Sequence, residues 1–180
     1  MKNTKTNAII LVAGVGRRME SSLVTVLHKI KDKSIIEYMV ESLEESGIDK
    51  IGIVVGNNNL TNIKLLLNNR VDYIIQDDQK GTGHAVLSAE RWLSSFRGSL
   101  VVVVGDAPFI SKQIIRDLIH RQQISDSAVC FLTTIFDNPP PWGRVLRDNV
   151  NNVIVISEEI VAFIVQKKIK EFRSSHYCFN

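Results

Sequence analysis

Two glycines and two arginines stand directly behind an unbroken apolar run. Residues 8–13 are all apolar, and Gly14, Gly16, Arg17 and Arg18 follow them. Lacking Cβ atoms, Gly14 and Gly16 let backbone N–H groups come close to phosphate oxygens, and a guanidinium just beyond pairs with the same oxygens bidentately. The chemistry this spacing suggests is phosphate binding. A Walker loop is excluded because no Lys-Ser or Lys-Thr pair follows at its spacing, and Met19 occupies the third glycine position of a dinucleotide fingerprint. Glu37 stands roughly 20 residues beyond, as a nicotinamide site would require. It is better explained as the capping-box partner of Ser34, so an oxidoreductase ranks low. A plain strand-to-helix turn with solvated arginines is the alternative reading of this stretch.

The elements that must position these groups alternate along the chain. Short apolar runs at 8–13, 50–55, 71–75, 99–104 and 128–136 read as strands, the first of them fully buried. Between them, helices are expected from Ser34, which caps Ile35 onward up to Gly47, then over 61–68, over about 84–93, and from the Ser111 cap to about Gln122. Ile114, Ile115, Leu118 and Ile119 form the expected inner face of the last one. Alternation of this kind marks an α/β fold: a Rossmann-like, three-layer, mostly parallel sheet with helices on both faces. The β-branched run 99–104 is expected to be central, which puts Asp106 at the carboxyl end of a central strand, where such sheets bind ligands. Three prolines at 139–141 exclude regular structure, and 144–147 and 153–157 read as two strands joined by an Asn-rich turn. From 158 to 180 the reading stays open, since the spacing of Ile160, Val161, Phe163, Ile164 and Ile169 suits a helix and the β-branched content does not.

Composition narrows the classes further. The chain has 180 residues, 44% apolar, with 22 Lys and Arg against 19 Asp and Glu for a formal charge of +3. That suits one globular domain and implies no nucleic-acid partner. The longest apolar runs fall far below the roughly 18 residues of a membrane span, and a glycine-interrupted, arginine-followed N-terminal stretch is not a signal peptide, so a cytoplasmic location is expected. Cys130 and Cys178 form no CxxC pair and are expected to be reduced. His28, His120 and His176 have no partners at zinc-ligand spacing, and His84, opening a helix, is expected to be a neutral hydrogen-bonding or packing residue.

Taken together, Gly-x-Gly-x-Arg-Met after a first strand, Leu27-His28, the stretch from Gln76 through Gly81-Thr82-Gly83-His84-Ala85, Gly105-Asp106-Ala107-Pro108, and Trp142-Gly143-Arg144 with Glu158 resemble the motifs of the MobA-like sugar nucleotidyltransferases. The nearest likeness is to the N-terminal uridylyltransferase domain of bifunctional enzymes. The resemblance implies transfer of UMP from UTP to N-acetylglucosamine 1-phosphate, giving UDP-N-acetylglucosamine for cell-envelope polymers and releasing pyrophosphate. It also implies Mg2+ on Asp106, with Arg18 and Asp106 catalytic. Leu11, Ala13, Gly14, Gly16, Gln76, Gly81 and Thr82 would hold the nucleotide, with Gln76 offering a pyrimidine edge both a donor and an acceptor. Gly143 and Glu158 would hold the sugar.

Departures from that pattern are specific. Thr25 stands where the family has a catalytic lysine, and Val15 and Ile160 replace further expected lysines; Arg173-Ser174-Ser175 stands in place of Asn-Thr-Gly. A single transferase domain over 1–180, incomplete at its C-terminus and without a left-handed β-helix acetyltransferase domain, is what the resemblance implies. Its uncovered edge would favour a homo-oligomer. Two functional readings stand: an impaired nucleotidyltransferase, and a catalytically inactive remnant that binds nucleotide or a partner protein.

Overall fold

The computed structural model describes residues 4–14, 24–125, 127–138, 140, 142–158, 166 and 168–180. They fall into two compact units, residues 1–130 with 177–180, and residues 131–176.

The first unit begins with β1 (Thr6–Leu11), whose residues are buried up to Ile10. A 3-10 turn, Thr25–Leu27, precedes the small hairpin β2 (Lys29–Ile30) and β3 (Lys33–Ser34). Helix α1 (Ile35–Glu45) starts where expected: the Glu37 carboxylate accepts from both the Ser34 N–H, at 2.7 Å, and the Ser34 hydroxyl, at 2.8 Å. Gly47 ends it at φ 86°, a backbone angle that favours glycine. Strand β4 (Lys50–Val55), α2 (Leu60–Leu67) and β5 (Asp72–Ile75) follow, then α3 (Thr82–Leu87), α4 (Glu90–Leu93), β6 (Ser99–Val104) and α5 (Lys112–Ile124).

Strands β5, β4, β1 and β6 lie side by side in that order, all parallel. The chain thus builds outward on one side of β1 and then crosses to its other side, so the strand order reverses between β1 and β6. That reversal opens a crevice beyond the carboxyl ends of the two strands. Their ends are level, with Leu11 opposite Val104, and the Gly105 N–H donates to the Leu11 carbonyl at 3.0 Å. A Cβ at Gly105 would lie 2.2 Å from Val12 Cγ1, so glycine is needed where the two chains leave the sheet together. On one face, α3 and α4 lay Ala85 and Ala89 against Ile9, Val54 and Ile74.

Two expectations for helices are corrected. Residues 84–93 do not form one helix: the Ala89 N–H takes the Val86 carbonyl, three residues back, and the Ser88 hydroxyl takes that of His84. This tight turn sinks Ala89 into the core and separates α3 from α4. In α5, Ser111 caps as expected, through the Ile114 N–H. Ile114 itself is 43% exposed, and the buried face is Ile115, Leu118 and Gln122, whose amide oxygen accepts from the buried Ser99 hydroxyl.

In the second unit, β8 (Arg144–Arg147) and β9 (Val153–Ser157) pair antiparallel around a turn in which the Asp148 carboxylate accepts from Val150 and Asn152, and Asn151 takes φ 70°. Two strands have residues in both units: β7 (Val129–Ile135), and β10 (Glu171–Phe179), which makes residues 171–179 of the open stretch a strand. Ile160, Val161, Phe163 and Ile164 lie outside the described residues. In the second unit Phe172 of β10 pairs with Arg144, and its ring stacks on Phe136 and meets Trp142 edge-on. In the first, Tyr177, Cys178 and Phe179 pair antiparallel with β6. The fold is the α/β class read from the sequence, a mostly parallel sheet with helices.

Cys178 is fully buried, and burial first, then the neighbouring Cys130, pushes its thiol up to about 12. The thiolate is the nucleophile. Iodoacetamide at about pH 8 is therefore expected to alkylate Cys130 in the native protein and Cys178 only after denaturation, read by mass spectrometry of peptides. Equal labelling of both in the native state would contradict this burial.

Candidate active site at the carboxyl edge

A cavity of about 420 Å³ occupies the crevice beyond β1 and β6. Of the residues expected on a nucleotide, Leu11, Ala13, Gly14, Gln76, Gly81 and Thr82 all line it, and so does Asp106. Gly16 and Arg18 lie outside the described residues. Gly143 and Glu158 lie in the second unit, where a Cβ on Gly143 would stand 3.1 Å from Glu158 Oε1 and that oxygen accepts from Arg173 at 2.8 Å.

Each lining group is placed by the backbone just described. Val12 to Gly14 continue β1 past the sheet, anchored by the bond from the Val12 N–H to the Val54 carbonyl. Gln76 leaves β5 with its N–H on the Val55 carbonyl, and its side chain is buried to 3% exposure. Gly81 bends the chain at φ 101° and turns its carbonyl back toward Gln76. Asp106 follows Gly105 off β6.

The Gln76 carboxamide is more committed than sequence alone indicates. Its Nε2 donates to the Gly81 carbonyl at 3.4 Å and lies 2.8 Å from His84 Nδ1. A carbonyl only accepts, so the amide orientation is set by Gly81, and His84 Nδ1 is the acceptor with the ring proton on Nε2. Both amide hydrogens are therefore used. Oε1 has no protein partner among the described residues, so Gln76 presents an acceptor and no donor, correcting the expectation of both. His84 takes the hydrogen-bonding role expected of it.

Two contributors, and the partner that His84 takes, escape a sequence reading. His84 orients Gln76 from eight residues away. Gln79 lines the cavity, its Nε2 3.3 Å from where a Cβ on Gly56 would stand. Asn59, just ahead of α2 and 1% exposed, donates to the Val12 carbonyl at 3.4 Å and so braces the end of β1. The only available signal was the Gly56-Asn57-Asn58-Asn59 run, which reads as a loop.

Asp106 is exposed, and its carboxylate has no hydrogen bond or ion pair among the described residues. No three His, Cys, Asp or Glu side chains come together among those residues. One open carboxylate fits magnesium, which keeps its waters and takes substrate phosphates as ligands, better than an ion that needs a full protein cage. Among the described residues lining the cavity there is no Lys, Arg or His, and Thr25 stands on its wall.

An α/β sheet that opens at its topological switch point into a cavity lined by Gly14, a buried carboxamide and an open carboxylate belongs to the class that seats a small ligand beyond its strand ends. The chain is a member of the MobA-like NTP transferase family, whose model matches residues 8–162. It is 36% identical over 175 residues to the bifunctional protein GlmU of Acetivibrio thermocellus, covering 96% of this chain and 37% of that protein. With GlmU of Caldicellulosiruptor saccharolyticus it is 38% identical over 176 residues, covering 97% and 38%. The chain thus spans little more than a third of the length of these relatives. In three dimensions it resembles a Bacillus anthracis protein assigned as a glucose-1-phosphate thymidylyltransferase, with a TM-score of 0.83 at 21% identity, over 97% of this chain and 71% of that one. No helix among the described residues is long and apolar enough to cross a membrane.

Proposed function

We propose that the chain is a sugar nucleotidyltransferase that moves UMP from UTP to N-acetylglucosamine 1-phosphate. The observation that carries this reading is the meeting of Gly14, Gln76 and Asp106 in one cavity at the switch point. Gln76 Oε1, with its amide hydrogens spent on Gly81 and His84, accepts from the N3–H of uracil; cytosine has no hydrogen there. The turn after β1 offers backbone N–H groups to the phosphates. A phosphate oxygen of the sugar 1-phosphate attacks the α-phosphorus in line, the bond to the bridging oxygen breaks, and pyrophosphate departs. Asp106 would hold the magnesium ion, which supplies charge neutralisation at the phosphate oxygens. Arg18 adds a guanidinium to the same charge, and Gly143 and Glu158 are assigned to the sugar.

Calorimetric titration tests the base assignment. UTP with magnesium is expected to bind about 10-fold or more tighter than CTP, the effect of one hydrogen bond that only uracil completes. In His84→Phe the amide loses its fixed orientation and the preference falls toward unity. Equal affinity of the unaltered protein for UTP and CTP would remove Gln76 from base recognition.

Thr25 on the cavity wall and Val15, each in place of an expected lysine, favour a second reading, a remnant that binds nucleotide without turnover. Incubation with UTP, magnesium and the sugar phosphate separates the two. Pyrophosphate release above background establishes the enzyme; binding with no release establishes the remnant.

A further inference from the structure

The opposite, amino edge of the same sheet carries a groove of about 840 Å³, within the range of small-molecule sites. Asn7 lies at its floor. Side chains alternate along a strand, so Asn7 shares the face of Ile9, the face on which α3 and α4 pack. Asn7 is 6% exposed, and its carboxamide makes no hydrogen bond among the described residues. The carboxamide is not sealed in the interior, so it is open to a partner from the groove. Directly beside it in register is Lys50 of β4, which has no ion pair among the described residues. Lys5 and Arg97 also line the groove, and Arg97 commits only one guanidinium nitrogen, to the Ser94 and Phe96 carbonyls.

The acidic groups in the groove are partly engaged already. Asp49 Oδ2 accepts from the Thr6 N–H at 2.7 Å, and Asp72 Oδ2 from the Trp92 indole at 2.9 Å. Trp92 is pinned against the sheet, since Gly52 leaves its ring within 3.4 Å of where a Cβ would stand. The groove therefore combines three cations, two carboxylates with one oxygen each spent, a fixed indole, and an amide offering one donor and one acceptor side by side.

We propose that this groove is a second site, separate from the carboxyl-edge cavity, for a nucleoside monophosphate of the adenine type. The Asn7 carboxamide pairs with a base edge that presents a donor next to an acceptor, as adenine does, the aromatic side chains flank the ring, and Lys5 and Lys50 take the phosphate. Two free cations match one monophosphate, and the carboxylates disfavour longer polyphosphates.

The test titrates AMP into isotope-labelled protein already saturated with UTP and magnesium, following the Asn7 side-chain amide and Trp92 indole signals by NMR. Because the readout sits at the amino edge, it is independent of whether UTP occupies the other cavity. The expected result is a shift of both signals with a dissociation constant below about 1 mM, weakened about 10-fold in each of Asn7→Leu and Lys50→Glu. Lys50 is exposed, so its variant remains folded and decides the matter should Asn7→Leu lose structure by circular dichroism. Absence of a shift at these signals, or unchanged affinity in Lys50→Glu, overturns the site. Ribose 5-phosphate binding as tightly as AMP overturns the base pairing.

Discussion

Asp106→Asn is expected to lower kcat for pyrophosphate release by about 10²–10³ with little change in the KM for UTP. Asparagine keeps the size of the side chain and removes its charge. Asp106 makes no hydrogen bond among the described residues, so the exchange breaks nothing in the fold, and the melting temperature should stay put. On the proposed reading Gln76 still holds the base, hence the small change expected in KM. What is lost is the single carboxylate among the described lining residues able to hold a divalent ion beside the phosphates. The requirement for magnesium should also move to higher concentration. Release measured enzymatically at saturating substrates, across a magnesium series, reads both effects. A variant with unchanged kcat and an unchanged magnesium midpoint would remove Asp106 from the chemistry.

How much of this site was open to a reader of the sequence depends on how local each cause is. The strands were legible because burial on both faces demands unbroken apolar runs, and 50–55 and 99–104 agree with β4 and β6 residue for residue. The α1 start was legible because Ser34 and Glu37 satisfy each other across one turn. The break between α3 and α4 was not, because it follows from Ala89 reaching the core shared by Ile9, Val54 and Ile74, three contacts distant in sequence. Nor was β10. Its buried residues Phe172, His176 and Cys178 lie on one face by alternation, but His176 and the intervening Ser174 are polar, so the period of two is hidden. Residue types pointed to Gly14, Gln76 and Asp106, and the three line one cavity. Which atoms of Gln76 remain free is a fact of three dimensions, set by a histidine and a carbonyl brought in by α3.

Thr25→Lys is expected to raise kcat by about 10²–10³, the scale on which one charge aimed at a developing oxyanion acts. The position is suited to the exchange. Thr25 opens the 3-10 turn that the bond from the Leu27 N–H to the Val24 carbonyl closes, and the buried Val26 behind it anchors that turn against Gly105. The Thr25 side chain faces no hydrogen-bond partner among the described residues, so no bond is sacrificed. A lysine stem there has the 420 Å³ cavity to extend into, and its ammonium would supply the positive charge that the described lining lacks. Thr25→Met separates charge from bulk, since it adds a comparable stem with no ammonium. The expected pattern is a large gain with lysine, none with methionine, and a lowered KM for UTP with lysine because the ground-state triphosphate also feels the cation. Rate gains of similar size in both variants would trace the effect to cavity filling. No gain in either would mean that the step limiting turnover does not depend on charge at this wall of the cavity.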